Sequence, residues 1–527
     1  MNKDGSKVSY FQMVENYWDK KKHRSQTRVV CSLGRVNEEN SNRLRQLAAS
    51  IRKRLSLEEL GELEGWQFEN SWEHGAFHAV TELWDKLGIR KILEQAVKEE
   101  DRSVPFERAI FAMVANRCLA PSSKLCCYEQ WLAEDVYFPE GKELQLHHLY
   151  RAMDLLDRHQ VEIEDALYWH IGDLLNLDVD LIFYDTTSVY FEIDDEDDLK
   201  RRGHSKDGKG DCPQIVVGLA VTRDGIPVKS WVFPGNTADV STINRVKKDL
   251  QGWKLNRCIF VTDAGMSSEE NLHTLSRGGG HYITAMSCIQ GSEVVKEVLS
   301  RKGRYSPVAD NLEVKEVLVG EGVRKRRYVI CRNPLEVKRQ SRHREEVLEQ
   351  LEAELATLNG HPKRACRLVS SRRYGKYLRK LKSGELRIDR AAVKAHAKRD
   401  GLWVIRSNDE ELSSEDLALA YKQLMRVEEA WKTMKSGLNL RPVYHRTPER
   451  IRAHVYLCVL GLLIERVAEK ATGETWRNIR NTLRTQKIGQ LFTPNGCIYQ
   501  AANPRPEACK LYKQLKIGPP RQILAVE

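Results

Sequence analysis

Leu181-Ile182-Phe183-Tyr184-Asp185 and Cys258-Ile259-Phe260-Val261-Thr262-Asp263 decide how this 527-residue chain folds. Each is a short, almost wholly apolar run that ends on a single carboxylate. Runs of this length, rich in β-branched and aromatic residues, read as strands buried on both faces. An acid that ends such a strand stands at its mouth, where an α/β sheet presents its ligand sites. The intervening segment supports the same sheet. Gln214 to Thr222 is a strand, Arg223-Asp224-Gly225 carries a hairpin signal, and Ile226 to Phe233 is the returning strand. Thr242 to Leu250 reads as a helix, Ser267-Ser268-Glu269-Glu270 opens another with good capping chemistry, and His281 to Met286 is a fifth strand.

A third carboxylate, Glu428, lies in the stretch Tyr421 to Lys435, which reads as one helix. Glu428 follows Tyr421 by seven residues and precedes Lys435 by seven, close to two turns, so the three share a face. Glu429 is its rival, because adjacent helical residues point about 100° apart and only one can face a site. The spacing favours Glu428. Three carboxylates carried by two strands and a helix form a donor set for a pair of hard divalent cations, suited to phosphodiester chemistry. An aspartate after a strand is more often a helix cap or turn former.

Tyr184-Asp185-Thr-Thr-Ser-Val-Tyr-Phe191, Gly203-His-Ser-Lys-Asp207, Phe233-Pro-Gly-Asn-Thr-Ala-Asp239 and Thr262-Asp263-Ala-Gly265 resemble the core of DDE-class insertion-sequence transposases. The likeness is to the superfamily named after insertion sequence four, whose last catalytic helix carries a Tyr, Arg, Glu and Lys signature. Tyr421, Glu428 and Lys435 match its spacing, while Leu424 holds the Arg position and Arg426 stands two residues on. Arg441-Pro-Val-Tyr-His-Arg446 also resembles the family, and the likeness runs from about Asn70 to about Glu469.

The resemblance implies an α/β protein with a ribonuclease-H-like catalytic core and a strand-rich insertion, preceded by a mostly helical DNA-binding region. It implies that Asp185, Asp263 and Glu428 hold two Mg²⁺ or Mn²⁺ ions, and that Tyr421, Arg426 and Lys435 grip the phosphate backbone. Trp403 stands where the superfamily can place an aromatic that stacks on an extruded base; a strand Trp in a hydrophobic core is the other reading. The implied partners are double-stranded DNA, as terminal inverted repeats and target, and a second copy in a paired-end complex. The implied location is the cytoplasm of a bacterium or archaeon, on the nucleoid. Two other classes stay open: a nuclease of the same fold without strand transfer, and a domesticated DNA-binding protein. The mark of the latter is a lost acid, and all three acids are present.

The boundaries that follow are 1–70, a basic strand and helix region; 71–178, a helical DNA-binding region; and 179–290, the first part of the core. Residues 291–412 are the strand-rich insertion, 413–470 the core helices with the Glu, and 471–527 the C-terminal region. Val8 to Leu33 predicts a strand pair and Asn40 to Leu60 a helix. Ala76 to Val97, Phe106 to Leu119 and Leu149 to Leu175 are helices by apolar periodicity. Asn311 to Leu318, Tyr328 to Arg332, Leu402 to Arg406 and residues around Leu386 are strand-like, and Pro334 to Leu358 is a long charged helix.

Lys plus Arg exceed Asp plus Glu by 85 − 74 = 11, a surplus suited to a polyanionic partner. The basic clusters are Lys20 to Arg24, Arg52 to Arg54, Arg324 to Arg327, Arg342 to Arg344, and Arg372-Arg373 through Lys380. Any one of these is more often a solvated face. Glu192 to Asp198 reads as a solvated acidic loop, and His74, His78, His147 and His148 as structural, lacking partners at zinc spacing. The twelve cysteines include no Cys-x-x-Cys and read as reduced thiols of an intracellular protein. Met1-Asn-Lys-Asp-Gly5 leads into no apolar stretch, so no secretory leader is expected. Val455 to Ile464 is the longest apolar run, half a bilayer span, and reads as a buried helix of a soluble protein with no membrane partner.

Overall fold

The computed structural model describes residues 9–19, 24–36, 40–41, 44–45, 67–100, 104–175, 180–251, 258–288, 292–322, 325–358, 362–493 and 496–526. Most of the helix read over Asn40 to Leu60, the basic cluster Arg52 to Arg54, all of Lys20 to Arg24 but Arg24, and Arg324 lie outside the described residues. The chain forms two compact units. One comprises residues 1–71, 489–500 and 523–527; the other comprises 72–488 and 501–522.

In the smaller unit, Tyr10–Asp19 pairs antiparallel with Arg24–Arg35, from Tyr10 opposite Arg35 to Asp19 opposite Arg24. The strand pair read from Val8 to Leu33 is therefore present. Gly496–Ala501 and Ile523–Val526 form another antiparallel pair, with Ile498 opposite Val526.

The larger unit is built on a nine-stranded mixed sheet. Its strands are β1 (Leu181–Tyr190), β2 (Gln214–Val221), β3 (Pro227–Pro234), β4 (Ile259–Thr262), β5 (His281–Met286), β6 (Ser306–Ala309), β7 (Leu312–Val319), β8 (Arg326–Arg332) and β9 (Leu402–Ser407). They run in the order β3-β2-β1-β4-β5-β9-β8-β7-β6. β1, β2 and β3 are an antiparallel meander, turned at Gly225, whose φ of +76° is the left-handed conformation the Asp-Gly signal predicts. β4 and β5 are parallel to β1, and β9 to β6 continue antiparallel from β5. The strands at residues 306–332 and 402–407 thus extend the core sheet. The segment around Leu386 forms only a three-residue strand, paired with Leu378–Lys380.

Two long helices read from periodicity are each broken. Gly75–Lys86 and Ile89–Ala96 are separated at Gly88, whose φ of +68° no L side chain adopts cheaply. Leu146–Arg158 and Gln160–Leu175 are separated at His159, whose ring lies against Glu100 at 3.0 Å and Glu162 at 3.2 Å. Phe106–Leu119 (α1) has the expected bounds.

The helices between and after the strands that matter below are α2 (Asp239–Gln251), α3 (Ser414–Lys422), α4 (Met425–Lys432) and α5 (Pro448–Thr472). α5 is the spine of this unit, buried nearly all round from Val455 to Ile464 and packed on α1, Leu146–Arg158 and β3. Among the described residues, no helix is long and apolar enough to cross a membrane. Leu460, buried at the centre of α5, sets a test of this core: Leu460→Ala should cost about 2–5 kcal/mol, read as a lower urea midpoint.

Candidate active site

Strand register brings the first two acids together. β1 and β4 pair in parallel from Leu181 opposite Ile259 to Tyr184 opposite Thr262, so Asp185 and Asp263 follow at the same level. β4 stops there, while β1 continues to Tyr190 on β2 alone, with Asp185 opposite Leu219. Asp185 is therefore not the end of its strand, as the apolar run suggested. It stands where the parallel neighbour ends, which opens the same mouth. Thr284 on β5 steadies the turn below Asp263: its hydroxyl accepts from Thr262 Oγ1 at 2.8 Å and lies 3.4 Å from the Asp263 carbonyl.

Two loop segments close over β1. Lys206 Nζ donates to the Thr186 carbonyl at 2.8 Å and lies 3.0 Å from Asp239 and 3.8 Å from Asp185. Asp239, the first residue of α2, also accepts from Thr186 Oγ1 at 2.5 Å. Asp207 is paired with Lys435 at 2.8 Å and Arg441 at 2.6 Å. These loops dock backbone to backbone at two glycines. A Cβ on Gly203 would stand 2.2 Å from the Gly235 carbonyl, and one on Gly235 2.0 Å from the Gln214 carbonyl.

The third acid arrives on a different scaffold from the one expected. Tyr421 to Lys435 is not one helix: α3 ends at Lys422, α4 begins at Met425, and a wide turn follows over Thr433–Gly437. Hydrogen bonds of i to i+3 type, such as Leu424 N to Tyr421 O at 2.9 Å, tighten the chain at the break. Tyr421 and Glu428 nevertheless share a neighbourhood. The Tyr421 hydroxyl donates to Asp263, and burial with the charges of Asp263 and Glu428 pushes its ionisation up. Glu428 and Asp263 are exposed. Glu429 instead pairs with Arg426 at 3.1 Å, and Lys435 is spent on Asp207. Trp403 is half-buried against the main hydrophobic core, with its indole nitrogen buried and unbonded.

Burial pushes the Asp185 carboxyl up to about 6, helped by the charges of Asp239 and Asp263, against the pull of Lys206 and the Thr186 amide. Neighbouring carboxylates at one strand mouth supply the anionic oxygen donors that a hard divalent cation takes, and a bound cation would displace the proton that burial favours on Asp185. In this respect Asp185 and Asp263 fit a metal. Among the described residues, however, no three His, Cys, Asp or Glu side chains converge into a ready-made cage. Asp239, Lys206, Asp207 and Arg441 were not singled out from sequence as site residues. Their only signal was membership of the quoted motifs.

Two tests follow from this geometry. In the absence of divalent ions, Asp185 ionises near 3.8 when unfolded and near 6 when folded, so the folded state binds the extra proton between these values. Its contribution to stability should fall as pH rises through that window, and Asp185→Asn should flatten the slope and raise Tm at neutral pH. Gly235→Ala should destabilise the protein by about 1–3 kcal/mol, read by thermal melting, because the added methyl meets backbone on two sides.

A family model described as a transposase DDE domain matches residues 180–464, more than half of the chain. A second, described as the N-terminal domain of the IS1634 family of transposases, matches residues 1–60. No curated protein matches. Among solved structures, the chain is similar to a piggyBac transposase synaptic complex with hairpin DNA, at 9% identity over 78% of this chain and 79% of that one. The TM-score of that likeness is 0.36. DDE transposases generally use divalent metal ions. With its matched segment spanning both aspartate strands and α4, this chain belongs to the DDE transposases of insertion sequences.

Proposed function

We propose that the protein cuts DNA at the ends of its element and joins the 3′ ends to target DNA, with Asp185, Asp263 and Glu428 as its catalytic acids. The observation that carries this reading is the parallel register that levels Asp185 with Asp263 inside the matched DDE domain. The strand order β3-β2-β1-β4-β5, with β2 antiparallel to β1 and β4 parallel to it, supports a ribonuclease-H-like core.

Asp185, Asp263 and Glu428 would hold two divalent ions, Mg²⁺ or Mn²⁺. When bound, such ions supply Lewis-acid activation of the attacking oxygen and neutralise charge on the leaving oxygen. The chain's own residues do the rest. Tyr421 orients the Asp263 carboxylate through its hydroxyl and feels the charge of Glu428. Lys206 holds Asp239 and Thr186, which fixes the backbone on the C-terminal side of Asp185. Lys435 and Arg441 clamp Asp207, keeping that loop closed over β1. The DNA-facing roles of Arg426 and Trp403 belong to the same reading, as does a dimer that holds two ends.

Asp185→Asn, Asp263→Asn and Glu428→Gln should each lower strand cleavage at least about a hundredfold while DNA binding persists in gel shift. Glu429→Gln should be much milder, since that side chain is engaged by Arg426. Cleavage should vanish in EDTA and return with Mg²⁺ or Mn²⁺ but not Ca²⁺. Robust cleavage in EDTA, or a dead Glu429→Gln beside an active Glu428→Gln, would overturn the assignment. Precleaved ends that are never joined to target would leave a nuclease.

A further inference from the structure

A cavity of about 730 Å³, which shares Arg441 with the Asp207 pairs described above, collects cations and no carboxylate. Its wall combines the C-terminal part of α1, the turn at residues 122–125, the segment 439–447 and the first turn of α5. Arg117, Lys124, Arg441, Arg446 and Arg450 line it, together with His445 and His454. Three of these cations are engaged at the edge. Arg450 pairs with Asp154 at 2.8 Å, Arg441 with Asp207 at 2.6 Å, and Arg117 donates to the carbonyls of Leu438 at 3.3 Å and Asn439 at 3.2 Å.

Of the other two, Arg446 is exposed and Lys124 is buried. It is 4% exposed, and its ammonium faces His454 Nδ1 at 3.2 Å rather than an acid. The other ring nitrogen of His454 lies 3.1 Å from the Leu440 carbonyl, so it donates there and leaves Nδ1 to accept from the lysine. Burial and the charge of Arg117 push Lys124 well below the usual lysine range, and burial with Lys124, Arg117 and Arg450 pushes His445 down to about 3. Burial without a counter-charge disfavours the ammonium of Lys124, and an anion in the cavity would stabilise it. The positive end of the 25-residue helix α5 adds to the same field, and the side chain of its N-cap Thr447 satisfies none of the first-turn amides.

We propose that this cavity is a phosphate-binding site that takes the DNA backbone next to the reacting position, with Lys124 and Arg446 as its phosphate contacts. Continuity with the acids argues for DNA over a free ion. Arg441 reaches from the cavity wall to Asp207, the neighbour of Lys206, whose ammonium stands over Asp239 and Asp185. A cavity of this size also exceeds what one inorganic phosphate fills and falls in the range that holds a nucleotide-sized group.

The identity of the polyanion rests on the strand-cutting reading, so the test measures binding without cutting. The full chain, Lys124→Met and Arg446→Ala are compared in EDTA. One arm measures Tm with inorganic phosphate against chloride at equal ionic strength. The other measures affinity for short duplexes with 5′-phosphate or 5′-hydroxyl ends across a salt series. Lys124→Met keeps the volume and removes the charge, so its Tm in chloride should equal or exceed that of the parent. Phosphate should raise Tm in the parent only. Each variant should bind duplex about tenfold more weakly, with a salt slope shallower by about one. Equal losses on both duplex ends identify a backbone phosphate, and loss confined to the 5′-phosphate duplex identifies a terminal one. Parent-like affinity and slope in both variants would overturn the proposal, as would phosphate stabilisation that survives both substitutions. If phosphate stabilises only the parent but no chain binds duplex, the phosphate site stands and the strand-cutting reading falls. Should Lys124→Met fail to fold, the exposed Arg446→Ala decides alone.

Discussion

The parallel pairing of β1 with β4 is the constraint on which the rest of the candidate site depends. It sets Tyr184 opposite Thr262, so the next residue on each strand is an aspartate. Side chains alternate across a sheet, and a slip of one residue would send one of the two to the opposite face. The apolar residues that precede them secure the register. Ile182 and Phe260 pack in one core layer, Phe183 and Val261 in the other, so a slip would exchange both layers at once. The common level of the two aspartates is thus held by hydrophobic burial, not by the acids themselves, whose mutual repulsion opposes it.

That repulsion is met in two ways. Lys206 lies within salt-bridge distance of both Asp185 and Asp239, and Tyr421 gives its hydroxyl to Asp263. A second set of pairs, Lys435 and Arg441 on Asp207, ties the segment after α4 to the loop that carries Lys206. Parts of the chain more than two hundred residues apart are therefore coupled at the mouth of β1. A change in Lys435 would act there through Asp207 and its loop.

Much of this was legible because the signals were local. The apolar runs before Asp185 and Asp263, the Asp-Gly turn and the uninterrupted apolar run inside α5 each express burial or backbone preference over a few residues. The breaks at Gly88, His159 and the Gln423-Leu424 step were not legible. Periodicity on either side of a break survives it, and only the first of the three carries a glycine to mark the interruption. Asp239, Lys206 and Asp207 were hidden for another reason. They are charged residues in loops or at a helix start, and what gathers them is the close docking of Gly203 on Gly235, which no spacing in the sequence encodes. Lys435 was found by its spacing from Glu428, but the partner that occupies it lies 228 residues away.

Asp185 and Asp263 are proposed to form one ion-binding centre. Titration of the purified protein with Mn²⁺, followed by electron paramagnetic resonance of the free ion, tests it most directly. Saturable binding is expected in the parent, with Asp185→Asn and Asp263→Asn each abolishing it and the double variant losing no more than either. Undiminished Mn²⁺ binding in both single variants would contradict it.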